Sequence, residues 1–247
     1  MSVSASEIQR LLYEDEDGRI VGLDEVQLLD PPPLSRIPAV KSLLKETDLY
    51  VVFQAALVLA AWGDSEGLAK IEELINKRVH TIQEFAPHRI YDYDNVYDEL
   101  AYAVYLYGLS SKHETDRKRI FEKLLRLYGP SQFESKLKYA LLKSDFHELS
   151  PAVKEAIERA VALNRPYLAS QLLPVLARWE PGKAWDLIPQ FLSYPRQTPD
   201  PVLNVAEALG YINRSESKNL LRDLENSSDT LIAQKARESL RKLGEER

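Results

Sequence analysis

The 247 residues are 45% hydrophobic and 28% charged, a balance that suits a chain with a buried core and argues against disorder over most of its length. Only 9 Gly and 14 Pro occur, too few for a turn-rich all-β fold, and with no Cys there is neither a disulfide framework nor a thiolate metal site. The net charge of −6 hides an asymmetry: residues 1–110 hold 19 acids against 9 bases, a net of −10, and residues 111–247 hold 19 acids against 23 bases, a net of +4. An acidic half disfavours nucleic acid and favours a basic partner.

In chain order, residues 1–7 lack a basic region and a long apolar stretch, so no signal peptide is expected. Leu11-Leu12-Tyr13 and Arg19-Ile20-Val21 flank Asp15-Glu16-Asp17-Gly18, which predicts a hairpin or tight loop. Asp30-Pro31-Pro32-Pro33 reads as a rigid extended connector. Residues 1–35 are therefore expected to form a small irregular cap over the first helix pair. From about residue 36 the pattern turns helical. Leu49, Val52, Ala55, Ala56 and Leu59 recur at helical spacing, with Tyr50, Phe53, Leu57 and Ala60 filling the other sides, as in a helix buried between neighbours. Asp48 suits its N-cap, and Gly63 stands where a left-handed residue ends the helix. Asp64 then caps an amphipathic helix with Leu68, Ile71, Leu74 and Ile75 inward. The run Leu49 to Trp62 falls short of the roughly 20 residues that span a bilayer, so a soluble, cytoplasmic chain with no membrane partner is expected.

The unit repeats with variation. Helices are predicted over Asn95–Tyr107, ending at Gly108, and over Thr115–Tyr128, Ser131–Leu142 and Ser150–Leu163. Others follow over Pro166–Trp179, Lys183–Phe191, Pro201–Ile212, Glu216–Leu224 and Thr230–Leu243, with Pro174 and Pro189 expected to kink or shorten theirs. The stretch Ala55-Ala56, Leu59, Gly63-Asp64, Leu68, Ile71, Leu74-Ile75 resembles a HEAT repeat of the short bacterial type. So does the C-terminal stretch from Ala206-Glu207-Ala208-Leu209-Gly210 through Leu220-Leu221 and Asp229, Ile232, Ala236 and Leu240 to Leu243-Gly244. The resemblance covers residues 48–76 and 201–244 and is only topological between them. It implies one all-α domain, a right-handed α-solenoid of about five stacked helix pairs over residues 36–247. Such armadillo-like repeats serve many roles, so the resemblance says little about function.

The most unusual segment is 90–111. Six of the 13 tyrosines fall between Tyr91 and Tyr107, among Asp92, Asp94, Asp98 and Glu99, with no Lys or Arg after Arg89 until Lys112. At about 100° per residue, Val96, Leu100, Ala103, Val104 and Tyr107 form a core stripe, and Asp98, Tyr102 and Tyr105 point away from it. Tyr91, Asp92, Tyr93, Asp94, Asp98, Tyr102 and Tyr105 are thus the candidate protein-binding residues, since tyrosine gives contact area at low entropic cost and carboxylates attract a basic partner. The alternative reading is that the tyrosines fill the gap between repeats.

Other motifs are weaker. His88 with Asp92 and Asp94 fits no standard metal cluster, and the calcium-like Asp15, Asp17 and Gly18 put Tyr13 at the first ligand position and Asp24 at the twelfth. Lys112, Arg117, Lys118, Arg119, Lys123 and Arg126 form a basic helix face, either a solvated surface paired with Glu114, Asp116 and Glu122 or a phosphate-contacting patch. No nucleophile elbow or Gly-rich phosphate loop occurs, so no catalytic residue, metal or cofactor is expected. The first functional expectation is a non-catalytic protein-binding module, in concrete form an immunity protein neutralising a basic, nuclease-like toxin. By analogy with other helical-repeat proteins, the alternatives are a nucleic-acid-binding protein similar to the alkylpurine DNA glycosylases, a factor similar to the bilin lyases, and a structural adaptor. A small-molecule substrate is not expected.

Overall fold

The computed structural model describes residues 3–82, 85, 95–111 and 114–244. Every regular element among them is helical, and two isolated backbone bridges, Glu14 with Ile20 and Tyr128 with Ser131, lie outside any strand. The contacts divide the chain into two compact units, Met1–Leu124 and Leu125–Arg247. Among the described residues no helix is long and apolar enough to cross a membrane.

The first unit opens with α1 (Ala5–Tyr13), α2 (Leu23–Gln27) and α3 (Ile37–Leu43). The expectation of an irregular cap is corrected here, because Ser4 accepts the Glu7 N–H at 3.3 Å and starts a true helix whose Leu11 and Leu12 are buried. The predicted tight loop does form between α1 and α2: Asp15 Oδ1 accepts the Asp17 and Arg19 N–H groups at 2.9 and 2.8 Å. All three helices pack on α4 (Leu49–Ala61). Asp48 caps α4 through the Tyr50 N–H at 2.9 Å, and Val51 through Ala61 are all buried. Each leucine so enclosed contributes about 1.5–3 kcal/mol of burial, which holds in place a helix that has no wet face.

Gly63 ends α4 at φ +80, and Asp64 caps α5 (Ser65–Asn76) through the Glu66 N–H at 2.9 Å. The turn lays α5 back on α4 with Leu68, Ile71, Leu74 and Ile75 buried, as their spacing predicts. α6 (Val96–Ser110) packs on both α4 and α5, and α7 (Glu114–Leu127) follows. α6 runs straight through Gly108, where the sequence predicts its end. The bare Cα of Gly108 leaves room for the Arg117 guanidinium, whose Nε donates to the Val104 carbonyl at 3.1 Å.

The second unit holds α8 (Lys136–Leu142), α9 (Ser150–Ala162), α10 (Pro166–Gln171), α11 (Leu173–Trp179), α12 (Pro181–Leu192), α13 (Val202–Leu209), α14 (Ser215–Glu225) and α15 (Thr230–Lys242). The helix predicted over Pro166–Trp179 is broken at Leu172, because Pro174 has no N–H for the turn before it. Pro189, by contrast, does not shorten α12, which runs on to Leu192. α8 starts at Lys136 and not at Ser131, since the Ser131 carbonyl is turned out to accept from Arg165 at 3.2 Å. α11, α13 and α15 lie side by side, with α12 and α14 packed against them.

Arginines close several helix ends across this packing. Arg178 donates to the Leu142 and Ser144 carbonyls at the end of α8, and Arg159 to those of Leu125 and Tyr128 at the end of α7, at 3.0 and 3.1 Å. Arg36 does the same in the first unit for Glu14 and Asp15, at 2.6 and 2.9 Å. A guanidinium suits such ends because the last carbonyls have no intrahelical donor and carry the negative end of the helix dipole.

Candidate functional site

The predicted docking residues divide into three groups. Tyr91, Asp92, Tyr93 and Asp94 lie outside the described residues. Asp98 is 0% exposed, which corrects its placement on the solvent side of α6. A wheel argument assumes one wet side, and residues 95–101 are buried on every side, Glu99 included at 4%. Both carboxylates fall in the first turn of α6, where the positive end of the helix dipole favours negative charge.

Tyr102 and Tyr105 do reach the surface in part. Their rings stack with centroids 6.1 Å apart and planes 28° apart. Leu109, one turn further along the same face, is 68% exposed. The three make an aromatic and aliphatic strip at i, i+3 and i+7. The other aromatics described around α6 are structural. Tyr97 is buried with its hydroxyl 2.5 Å from His80 Nδ1. Tyr50, Phe53 and Phe85 form a ring cluster at 4.9–6.2 Å. Tyr13 hydrogen-bonds Gln54 beside them, and burial, with the neighbouring Tyr13 hydroxyl, holds the Tyr50 phenol above its ordinary value.

The basic helix face of α7 is built into the fold. Arg117 is buried on α6, and Arg119 and Lys123 both reach back to Glu72 on α5 at 2.8 Å. Arg119 also pairs with Asp116 at 2.7 Å. This arrangement fits paired surface charge and leaves Arg117 no phosphate to meet. The indole N–H of Trp62 donates to the Val26 carbonyl at 2.9 Å, so that residue is packing. Among the described residues no group of three His, Asp or Glu side chains is placed to hold a metal ion.

One constellation was not picked out in the sequence. In the second unit Lys138 Nζ lies 2.9 Å from Glu207 and 3.2 Å from Asn204 Oδ1, and Asn204 donates to Ser170 Oγ at 2.9 Å. Nearby, Lys242 Nζ sits over the Tyr211 ring, 2.8 Å from its centroid. These residues come from α8, α10, α13, the turn after α13, and α15, and the only sequence signal was the positive balance of the second half.

No protein-family model matches the chain, and no curated protein or solved structure matches it either.

Proposed function

We propose that the protein is a non-catalytic binding module that docks a basic protein partner on its acidic first unit, an immunity-type neutraliser of a cationic toxin being the concrete form. In this reading the helix pairs stack as a HEAT-like α-solenoid, and Tyr91, Asp92, Tyr93, Asp94, Tyr102 and Tyr105 dock the partner. The observation that carries it is the partly exposed Tyr102–Tyr105 stack with exposed Leu109, in a unit with 22 acids against 14 bases, a net of −8. Large amphipathic rings beside an aliphatic side chain suit an interface centre, and surrounding negative charge steers a cationic partner. Asp98 is not part of this strip.

The test is affinity capture from the source cell with the full chain, compared with a Tyr102→Ala/Tyr105→Ala variant and an Asp92→Asn/Asp94→Asn variant. The expected result is one basic protein in a one-to-one complex, lost with the tyrosines and bound more slowly as salt rises. An acidic partner, or a complex indifferent to both variants, overturns the reading.

A further inference from the structure

In the second unit cations from α8, α11 and α15 come close together: Arg178 reaches the carbonyls of Leu142 and Ser144 on either side of Lys143, and it acts on Lys242, which lies over Tyr211. Lys138 and Lys235 are neutralised there by Glu207 and Glu238, at 2.9 and 2.6 Å. Lys143, Arg178 and Lys242 are not; among the described residues none of the three forms an ion pair. Arg178 donates from Nη1 to the Leu142 and Ser144 carbonyls, which leaves its Nε and Nη2 for another acceptor, and Lys242 rests on Tyr211. Lys143 Nζ lies 5.8 Å above the ring of Tyr139, which is 43% exposed.

The bland explanation is that these cations offset helix dipoles, since all three stand at helix C-termini. Magnitudes decide against that as the whole account. A helix end carries about half a negative charge, so three ends leave roughly +1.5 uncompensated. The cations also crowd one another: Arg178 lies close enough to Lys242 to disfavour its charge, with Glu207 acting the other way.

We propose that this face binds single-stranded nucleic acid, with phosphates on Lys143, Arg178 and Lys242 and a base stacked on Tyr139. Cations interleaved with an exposed ring are what an unpaired strand needs, because every base has a π-face and every linkage a charge. An acidic peptide would use the same cations but has no plane to offer Tyr139. The proposal is independent of the α6 strip, which lies in the other unit.

The experiment is fluorescence anisotropy of a labelled oligothymidylate of about 16 nucleotides with the full chain. Three phosphate contacts predict about 20-fold weaker binding between about 50 and 200 mM salt. Lys143→Gln and Lys242→Gln should each lower the salt slope by about 0.7. Tyr139→Ala should weaken binding by about 5-fold or more, and Tyr139→Phe should restore it. Lys143 and Tyr139 are exposed, so unchanged melting temperatures will separate these effects from misfolding. No binding at the lower salt, or equal binding by the combined Lys143→Gln/Lys242→Gln/Tyr139→Ala variant, overturns the proposal. Polyglutamate binding as tightly as the oligonucleotide also overturns it and assigns the face to an acidic protein.

Discussion

Glu72 of α5 and Arg119 of α7 meet along two parallel hydrogen bonds, Nε to Oε1 and Nη2 to Oε2, both 2.8 Å. Lys123 adds a third contact at 2.8 Å and also donates to Asn76 at 2.8 Å. This fork joins two helices whose outer surfaces are otherwise charged.

The Arg119 and Lys123 contacts hold the Glu72 carboxyl at about 2, well below its ordinary 4.5. A depressed carboxyl adds stability that is complete above about pH 4.5 and is lost as pH falls towards 2. Glu72→Gln should therefore cost about 1 kcal/mol at neutral pH, the figure for a well-formed but partly exposed pair. Urea denaturation of both proteins over that range should show the gap closing as the carboxyl protonates. A gap that stays constant through the acid range would assign the cost to packing instead.

Gly67 lies where α5 crosses α4. A Cβ there would stand 2.5 Å from both the Ala60 nitrogen and Leu59 Cβ. Alanine is the better helix former by about 1 kcal/mol, so propensity alone predicts that Gly67→Ala stabilises. The overlap is with backbone and a rigid core side chain, where crowding costs about 1–3 kcal/mol. The clash should win, with a net loss of about 1 kcal/mol in thermal or chemical unfolding. A rise in melting temperature would show that the two helices separate freely.

How much of this could be read from the chain differs by element. The α4–α5 pair was legible because Asp48, Gly63 and Asp64 are local signals and each did what its chemistry allows. The α1 helix was not, since nine residues give too few turns for a period to stand out beside the Asp-Gly loop. Gly108 misled, because a glycine after an apolar run signals a helix end, whereas here it makes room for an arginine from the next helix. The Tyr102 and Tyr105 placements on the outer side of α6 were readable from angle alone, but Asp98 was not, because its burial is set by neighbours distant in sequence. For the same reason the Lys138–Glu207 contact, 69 residues apart, left no mark on local pattern.

Burial of Asp98 changes what its substitution should do. A surface carboxylate in a docking site alters binding and leaves stability within about 0.5 kcal/mol. A carboxylate at 0% exposure in the first turn of α6 is part of the packing, and Asp98→Ala should destabilise by about 1–3 kcal/mol through the polar groups it strands. Differential scanning calorimetry of Asp98→Ala beside Tyr102→Ala separates the two roles. The first should lower the melting temperature clearly and the second hardly at all; the reverse order would return Asp98 to the surface.

Lys242 gives the sharpest pH signature. Burial against Tyr211, with Arg178 nearby, lowers its ammonium from 10.5 to about 8, and Glu207 only partly offsets this. Below about 8 the folded chain carries a charge that its surroundings penalise. Between about 8 and 10.5 the folded form sheds a proton that the unfolded form retains, so this residue makes stability rise with pH across that window. Tyr211 acts in the opposite sense above its ordinary 10, because burial holds its phenol up and the unfolded chain ionises first. The two are separated by comparing the protein with Lys242→Met, which keeps the aliphatic stem and removes the charge. The stability advantage of Lys242→Met should be largest near neutral pH and vanish towards pH 10.5, and the Lys242 side-chain resonance should titrate near 8. A resonance titrating at the usual lysine value would mean that the ammonium swings clear of the Tyr211 ring into water.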